Sequence, residues 1–437
     1  MFKKQSKRAF VFCLIMVLLL ATVSGGCSGQ KTVEKNSSGT KTSTINIWYM
    51  WAGAEGKVVQ DLIDEFNKSQ NVVEAKGLSV PDSQKITVAI SSGNGPDVAD
   101  GFGSDMASYA SKGILLDLDS YIAKDNYDTS DFLPMTLESC KYNGKLFALP
   151  LNFMNTMLFY NKTLFTEAGL SAPPKTDKEL LADAIKLTKV NSDKTIKVLG
   201  FPDYPSAASG LIGSAYSFGG KFISDDGKTL TPNNSGALLF LNILVQYRTE
   251  FGVDNVLKFQ GGGKYLEPTD PFLLGTQAMR IDGIWLGSFM KRVDNKVEYG
   301  VVPLPYPDGR PELAGSTLCS TSTFYITNNS KNKDGAWTFM KWLFDSKQLT
   351  KFMSGLGNLT SRKSALSDPV FNTVPNAKAF IDYALLNKMG IFPTIAAQSQ
   401  YSKIIGDQAE LAANLKITPE QALKAADDQS KSLLLLQ

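Results

Sequence analysis

The groups in this 437-residue chain that could do chemistry are its 42 Asp and Glu side chains, its Lys and Tyr residues and a few cysteines, because it contains no histidine. Ser-His-Asp and Cys-His nucleophile systems, His-ligated zinc and any His general base are therefore excluded. Carboxylates alone still suffice for glycoside hydrolysis, where one carboxyl group gives a proton and another attacks or activates water. Sequence spacing does not single out such a pair.

Two glycine-rich stretches fail as phosphate-binding loops. Gly261-Gly262-Gly263-Lys264 is followed by Tyr265 where Ser or Thr is required, and no glycine precedes it at P-loop spacing. Gly93-Asn94-Gly95 lacks the third glycine of the dinucleotide fingerprint and runs into Pro96. The acidic cluster Asp125, Asp128 and Asp131 lacks the central Gly and closing Glu of a calcium loop. All three read as loops, caps and turns, so no cofactor and no metal is expected.

The elements that would position a site alternate between strand and helix. Ile45 to Trp51 is β-branched and aromatic enough for a buried strand, and Ala52-Gly53-Ala54 reads as a turn. From Gly56 to Ser69, Val58, Val59, Leu62, Ile63 and Phe66 recur at steps of three and four, with Lys57, Asp61, Asp64, Glu65 and Lys68 on the other face. A strand over Val72 to Val80, a helix over Ser83 to Ser92 and a short strand opening at Pro96-Asp97-Val98 continue the pattern. The fold class is α/β, a sheet with helices on its faces.

The N-terminus says where the chain works. Lys3, Lys4, Lys7 and Arg8 precede an uncharged apolar run from Phe10 to Val23, the layout of a secretory signal. Ser24-Gly25-Gly26 before Cys27 resembles the lipobox of bacterial lipoproteins, although Ser24 stands where Leu is usual. The resemblance implies a signal peptide over 1–26 and a lipid anchor on Cys27, with diacylglyceryl and palmitate. Plain signal cleavage with Cys27 incidental is the alternative. Ser28 to Thr44 is Ser, Gly, Lys and Thr with little apolar content, so 27–44 reads as a flexible tether.

Roughly 390 residues follow, more than one small core usually holds, so two lobes are expected. Removing the four leader cations from 45 Lys and Arg leaves 41 against 42 Asp and Glu. A near-neutral body without a basic stripe argues against nucleic acid. With Cys13 in the leader and Cys27 assigned to lipid, only Cys140 and Cys319 remain, bridged or free.

Tyr142-Asn143-Gly144-Lys145-Leu146-Phe147-Ala148-Leu149-Pro150, Phe159 to Leu170 and Pro173-Pro174-Lys175-Thr176 resemble the diagnostic stretch of the family 1 extracellular solute-binding proteins of ABC importers, the group that includes maltose-binding protein. Gly95-Pro96-Asp97-Val98 with Tyr109 to Leu116, Ala278 to Trp285, Tyr299 to Pro305 and Lys331 to Phe344 are similar to further family segments, in order. One departure is Asp177, where an aromatic is usual.

The resemblance implies a two-lobed periplasmic-binding-protein fold of type II, maltose-binding-protein-like, with a hinge and an inter-lobe ligand cleft. It assigns 45–151 plus 303–372 to the N-terminal lobe and 152–302 plus 373–437 to the C-terminal lobe, with crossings near Pro150 to Asn152, Val301 to Leu304 and Asn372 to Ala379. It also implies a carbohydrate ligand, ABC importer transmembrane subunits as partners, a monomer held on the extracytoplasmic face of the cell membrane by its anchor, and no catalysis.

A sugar has apolar C–H faces and a rim of hydroxyls, so its receptor needs aromatic plates and carboxylate or amide groups. Trp51 ends the first expected strand, where open α/β sheets present ligand-contacting groups. By resemblance, Trp285 ends a strand facing the cleft, Tyr216, Phe218 and Tyr401 lie where relatives place further aromatics, Ser104 and Asp105 follow the second-loop motif, and Asn152 and Asn155 sit past the first crossing. Trp48, in phase with the core of its strand, and Trp337 and Trp342 on one helix read as packing, and Asp97 as a structural cap. The alternatives are a secreted carboxylate-dependent glycoside hydrolase, or the same fold binding a polyol phosphate, an iron chelate or a peptide. No dense Tyr cluster suggests bare ferric iron, and no Arg cluster in the candidate loops suggests phosphate.

Overall fold

A computed structural model describes residues 43–201 and 207–436. The leader, Cys27 and most of the tether lie outside the described residues. The body opens with β1 (Ser43–Tyr49), α1 (Gly53–Ser69), β2 (Val73–Ser79), α2 (Ser83–Ser91), β3 (Val98–Phe102) and α3 (Gly103–Ser111). β1 therefore takes in Ser43 and Thr44, the last two residues of the expected tether, because both pair with β2 at Val73 and Glu74.

β1 runs parallel to β2 and β3. Its Ile45, Ile47 and Tyr49 point into the core, as the period of two along a strand requires. Trp48 falls on the opposite face, out of phase with these three, and packs at the edge of the same core. α1 buries Val59, Leu62, Ile63 and Phe66, the stripe its spacing predicts. Phe66 meets Phe339 edge-on at 5.1 Å and Trp342 at 5.4 Å, so Trp342 is a packing residue. Trp337 is likewise buried, its indole nitrogen donating to Asp125 at 2.9 Å. Removing a ring such as Phe66 typically costs about 3–5 kcal/mol.

Asp97 acts structurally: one carboxylate oxygen accepts from Asn46 N at 2.8 Å and the other from Ser330 Oγ at 2.6 Å. It pins β1 to a distant loop rather than capping a helix.

β1, β2 and β3 share a five-stranded sheet with Ser322–Ile326 and Ala148–Pro150, in the order β2, β1, β3, Ser322–Ile326, Ala148–Pro150. The last two strands are antiparallel additions. A second sheet holds Met157–Asn161 between Met279–Asp282 and Tyr299–Val302, all antiparallel. Between these sheets in sequence lie two short strands, Met154–Asn155 and Thr317–Ser320, which pair with each other, while Met389–Gly390 pairs with the latter. Every chain segment linking the two larger sheets thus passes a small three-stranded sheet.

The hydrophobic interior forms two clusters. One surrounds the first sheet, α1 and the helices Lys333–Leu343 and Ser346–Leu356. The other gathers Phe201, Leu211, Phe222, Leu241, Leu244, Tyr247, Tyr401 and Ile405. Met157–Asn161 serves both, sending Met157 and Phe159 into the first and Leu158 into the second, the alternation expected of a strand covered on both faces.

Candidate functional site

β3 runs into α3 without a loop, so the first turn of α3 stands at the C-terminal end of a sheet strand, where open α/β sheets present ligand-binding groups. Gly103 permits this. A Cβ there would lie 2.6 Å from Ser139 Oγ and 2.9 Å from Thr321 Cγ2. Ser104 and Asp105 follow directly and line a cavity of about 750 Å³.

The rest of the cavity wall comes from far along the chain. Leu318 to Thr321 supply one side, Ile391, Phe392 and Thr394 another, and Gln398, Ser399, Ser402, Lys403, Asp407 and Glu410 project from the helix Gln398–Ala413. Phe392 is the one aromatic ring among the described lining residues, and it is stacked on Tyr401 at 5.3 Å with 23° between planes. The wall is hydroxyls, carboxylates and amide around apolar patches of Ile212, Leu318, Ile391 and Phe392. Such a surface can hydrogen-bond a hydroxyl rim and cover a C–H face. Among the described residues, no three Cys, Asp or Glu side chains gather as a metal site would require.

The candidates from sequence separate into groups. Ser104 and Asp105 line the cavity. Trp51 does not; it lies past the end of β1 and packs edge-on against Phe352 at 5.7 Å and beside Phe324 at 6.3 Å. Asn152 is buried, its amide oxygen accepting from Ser322 N at 2.7 Å and its backbone carbonyl from Thr321 Oγ1 at 2.6 Å, so it ties crossing segments together. Asn155 is buried opposite Cys319 in the small sheet and is not itself a lining residue of the cavity. Tyr216 donates its hydroxyl to Ile391 O at 2.5 Å. Tyr401 has no exposed surface and donates to Phe222 O at 2.7 Å, and Phe218 is core. Tyr216 and Tyr401 therefore brace the segment that carries Phe392 rather than face the cavity. The sequence signal for Phe392 was present in Phe392-Pro393, but nothing in one dimension says which ring of a stack is the outer one.

A sequence profile of the bacterial extracellular solute-binding proteins matches residues 52–349. The chain belongs to that family. A maltotriose-binding protein of Pyrococcus abyssi is 27% identical over 395 residues, covering 87% of this chain and 82% of the relative. A galactooligosaccharide-binding protein of Bacillus subtilis is 24% identical, covering 98% and 97%. A solved structure of a protein with mannobiose bound is 29% identical with a TM-score of 0.78, covering 90% of this chain and 100% of that one. The solute-binding protein has the expected two-lobed α/β fold, and as a member of an extracellular family it works outside the cytoplasm.

Trp285 occupies a separate setting in this solute-binding protein. The strand Met279–Asp282 ends before it, and Trp285 falls in the first turn of the helix Ile284–Arg292, not at a strand end. Its half-buried ring folds back over Gly283, where a Cβ would come within 2.0 Å of the indole, so the glycine makes room for the ring. The indole Nε1 donates to the Tyr265 hydroxyl at 2.6 Å, and that hydroxyl donates to Asp282 Oδ1 at 2.9 Å. Arg280 lies over the Tyr265 ring at 5.6 Å and is held by the buried Asp270 at 2.7 and 2.8 Å.

Burial sets the electrostatics. It pushes the Asp100 carboxyl up to about 8 and the Asp282 carboxyl up to about 6, the latter against the pull of Arg280. It also raises Asp105, which backbone hydrogen bonding partly offsets. Cys140 and Cys319 are free, buried thiols. Cys319 is pushed up to about 12, so it stays protonated and inert although it lines the cavity.

Proposed function

We propose that this solute-binding protein is the carbohydrate receptor of an ABC importer and takes a sugar or short oligosaccharide into the cavity between α3 and the helix Gln398–Ala413. The observation that carries the reading is the cavity wall itself: a stacked Phe392 ring set among hydroxyls, an amide and carboxylates, in a volume of about 750 Å³ that is ordinary for a small-molecule site. Relatives named for maltotriose and galactooligosaccharide binding, and a solved relative holding mannobiose, support it. The matched relatives are binding proteins, which favours capture without catalysis over a carboxylate-dependent hydrolase.

In this reading Phe392 covers a sugar face, Ser104 and Asp105 bind ring hydroxyls, and Trp285, which lies outside this cavity wall, reaches the ligand when the lobes close. Capture proceeds by hinge closure of the lobes 45–151 plus 303–372 and 152–302 plus 373–437 about the small sheet of crossing strands. Asn152 and the Asn155–Cys319 pairing stiffen that sheet. Cys27 carries the lipid anchor, and the monomer delivers its sugar to the transmembrane subunits at the membrane surface.

A thermal-shift screen against mono- and oligosaccharides tests the reading, because a ligand that binds only the folded state raises the melting temperature by mass action. The expected result is a rise with at least one sugar, recovered chemically unchanged. No rise with any sugar would overturn the carbohydrate reading, and cleaved product would overturn the receptor in favour of the hydrolase.

A further inference from the structure

The half-buried Trp285 ring is fixed from two sides by groups that are not among the described lining residues of the cavity. Beneath it, Gly283 has φ −96° and ψ 176°, extended backbone open to any residue, yet a Cβ there would lie 2.0 to 2.5 Å from three atoms of the indole. The pose of the ring, and not the path of the chain, is what requires glycine. At the edge of the ring, Nε1 donates to the Tyr265 hydroxyl, which donates on to Asp282 Oδ1. An indole N–H can only donate and a carboxylate can only accept, so a hydroxyl is what joins the two, and phenylalanine in its place leaves them unjoined.

Tyr265 is held in turn. Arg280 and Asp282 are two apart on the strand Met279–Asp282 and share a face, where the guanidinium lies 5.6 Å from the centre of the Tyr265 ring and the carboxylate takes its hydroxyl. Arg280 is locked by both oxygens of the buried Asp270 and by Gln277 at 2.8 Å. Asp270 also accepts from Leu266 N at 2.8 Å, and Leu266 is held at φ +55°, a left-handed conformation uncommon for leucine. Backbone kept in such a region belongs to a segment that its surroundings over-determine. This frame ends on one partly exposed ring.

Resting on the carbohydrate reading above, we propose that Tyr265 and Gly283 are positioning residues of the sugar site, fixing the Trp285 indole in advance in the pose that meets the ligand when the lobes close. A ring already fixed has little rotamer freedom left to lose on binding, and that loss otherwise weakens affinity. Neither residue touches the sugar; both act through the indole.

Calorimetry with mannobiose and maltotriose, set beside the emission of Trp285 alone, tests the proposal. That emission is the difference between each protein and its Trp285→Phe counterpart, taken without sugar. Tyr265→Phe is expected to bind the sugar roughly threefold or more weakly, with Trp285 emission shifted to the red and more strongly quenched by acrylamide. Gly283→Ala, which drives the ring off its seat, is expected to weaken binding roughly tenfold or more. Neither change should weaken Trp285→Ala further, because that protein has no ring to displace. An affinity within about twofold of wild type in either variant overturns the role of that residue. Losses that persist undiminished in the Trp285→Ala background overturn it as well, since the residue would then act through the fold and not through the ring. If neither sugar binds the wild type, it is the carbohydrate reading that fails, and the emission still decides whether the ring is held.

Discussion

The Trp285 indole and the Asp282 carboxylate are joined through one atom, the Tyr265 hydroxyl, which accepts from the first at 2.6 Å and donates to the second at 2.9 Å. Asp282 is fully buried, and its other oxygen has no partner in the protein. Tyr265→Phe therefore leaves a buried acid with the hydrogen bond from Gly283 N at 2.8 Å but without its side-chain donor, and the loss is expected to be about 1–3 kcal/mol of stability. Denaturation followed by tryptophan emission measures it, and an unchanged midpoint would mean the relay contributes nothing. In the ligand-bound protein Trp285→Ala is expected to weaken sugar binding at least roughly thirtyfold, about 2 kcal/mol at a hot spot. An unchanged dissociation constant would remove Trp285 from the site.

Phe392 and Tyr401 should separate binding from support. Phe392→Ala is expected to weaken sugar binding by about tenfold or more while leaving the melting temperature nearly unchanged, since the ring is half-exposed. Tyr401→Phe keeps the stack but removes the hydroxyl's hydrogen bond to the Phe222 carbonyl, which still accepts from Thr231 N at 3.1 Å, so stability falls by about 0.5–1.5 kcal/mol with a smaller effect on affinity. The reversed pattern in calorimetry and thermal melts would make Tyr401 the contact ring.

Asp100 makes stability depend on pH. Its carboxyl is pushed up to about 8 by burial, against about 3.9 in an unfolded chain. Between those values the folded protein holds a proton that the unfolded chain has released, so the Asp100 contribution falls as pH rises, by up to about 1.4 kcal/mol per pH unit, and levels off above about pH 8. Asp100→Asn keeps an acceptor for Met50 N, now bonded at 3.0 Å, without the titration. Its melting temperature should gain on the wild type steadily from pH 5 to 8. Taking the difference cancels Asp183 and Asp282, both raised to about 6, and a flat difference would place the Asp100 proton elsewhere.

Cys27→Ala should release the protein from membranes or leave its precursor uncut, as fractionation and mass measurement of the mature chain would reveal. Two acyl chains give stable attachment whereas one is marginal. Wild-type protein found wholly in the soluble fraction would end the anchor proposal.

Much of the fold was legible because periodicity is a one-dimensional signal. The α1 stripe from Val59 to Phe66 and the alternation in β1 appear in the structure as spaced in the sequence. The exceptions are instructive. Trp48 looked in phase with its strand, yet Ile45, Ile47 and Tyr49 fix the inward face and leave it on the other. Trp285 looked like a strand end, but Gly283 starts a helix one residue earlier than the ring, and the indole turns back over it.

By itself the sequence determined the absence of histidine chemistry, the alternation of strand and helix, and, through ordered motifs from Tyr142 to Phe344, membership of the family. Those are properties of composition and of near neighbours. Only the tertiary structure decided which polar groups share a wall. Ser104, Thr321 and the stretch from Phe392 to Gln398 come from three segments far apart in the chain, and they meet because crossing strands and the helix Gln398–Ala413 fold back to the first turn of α3. It likewise decided which of two stacked rings faces outward, since Tyr401 and Phe392 are both aromatic in the sequence and only the fold buries Tyr401, its hydroxyl on Phe222 O, while Phe392 stays partly exposed beside the Phe222 ring.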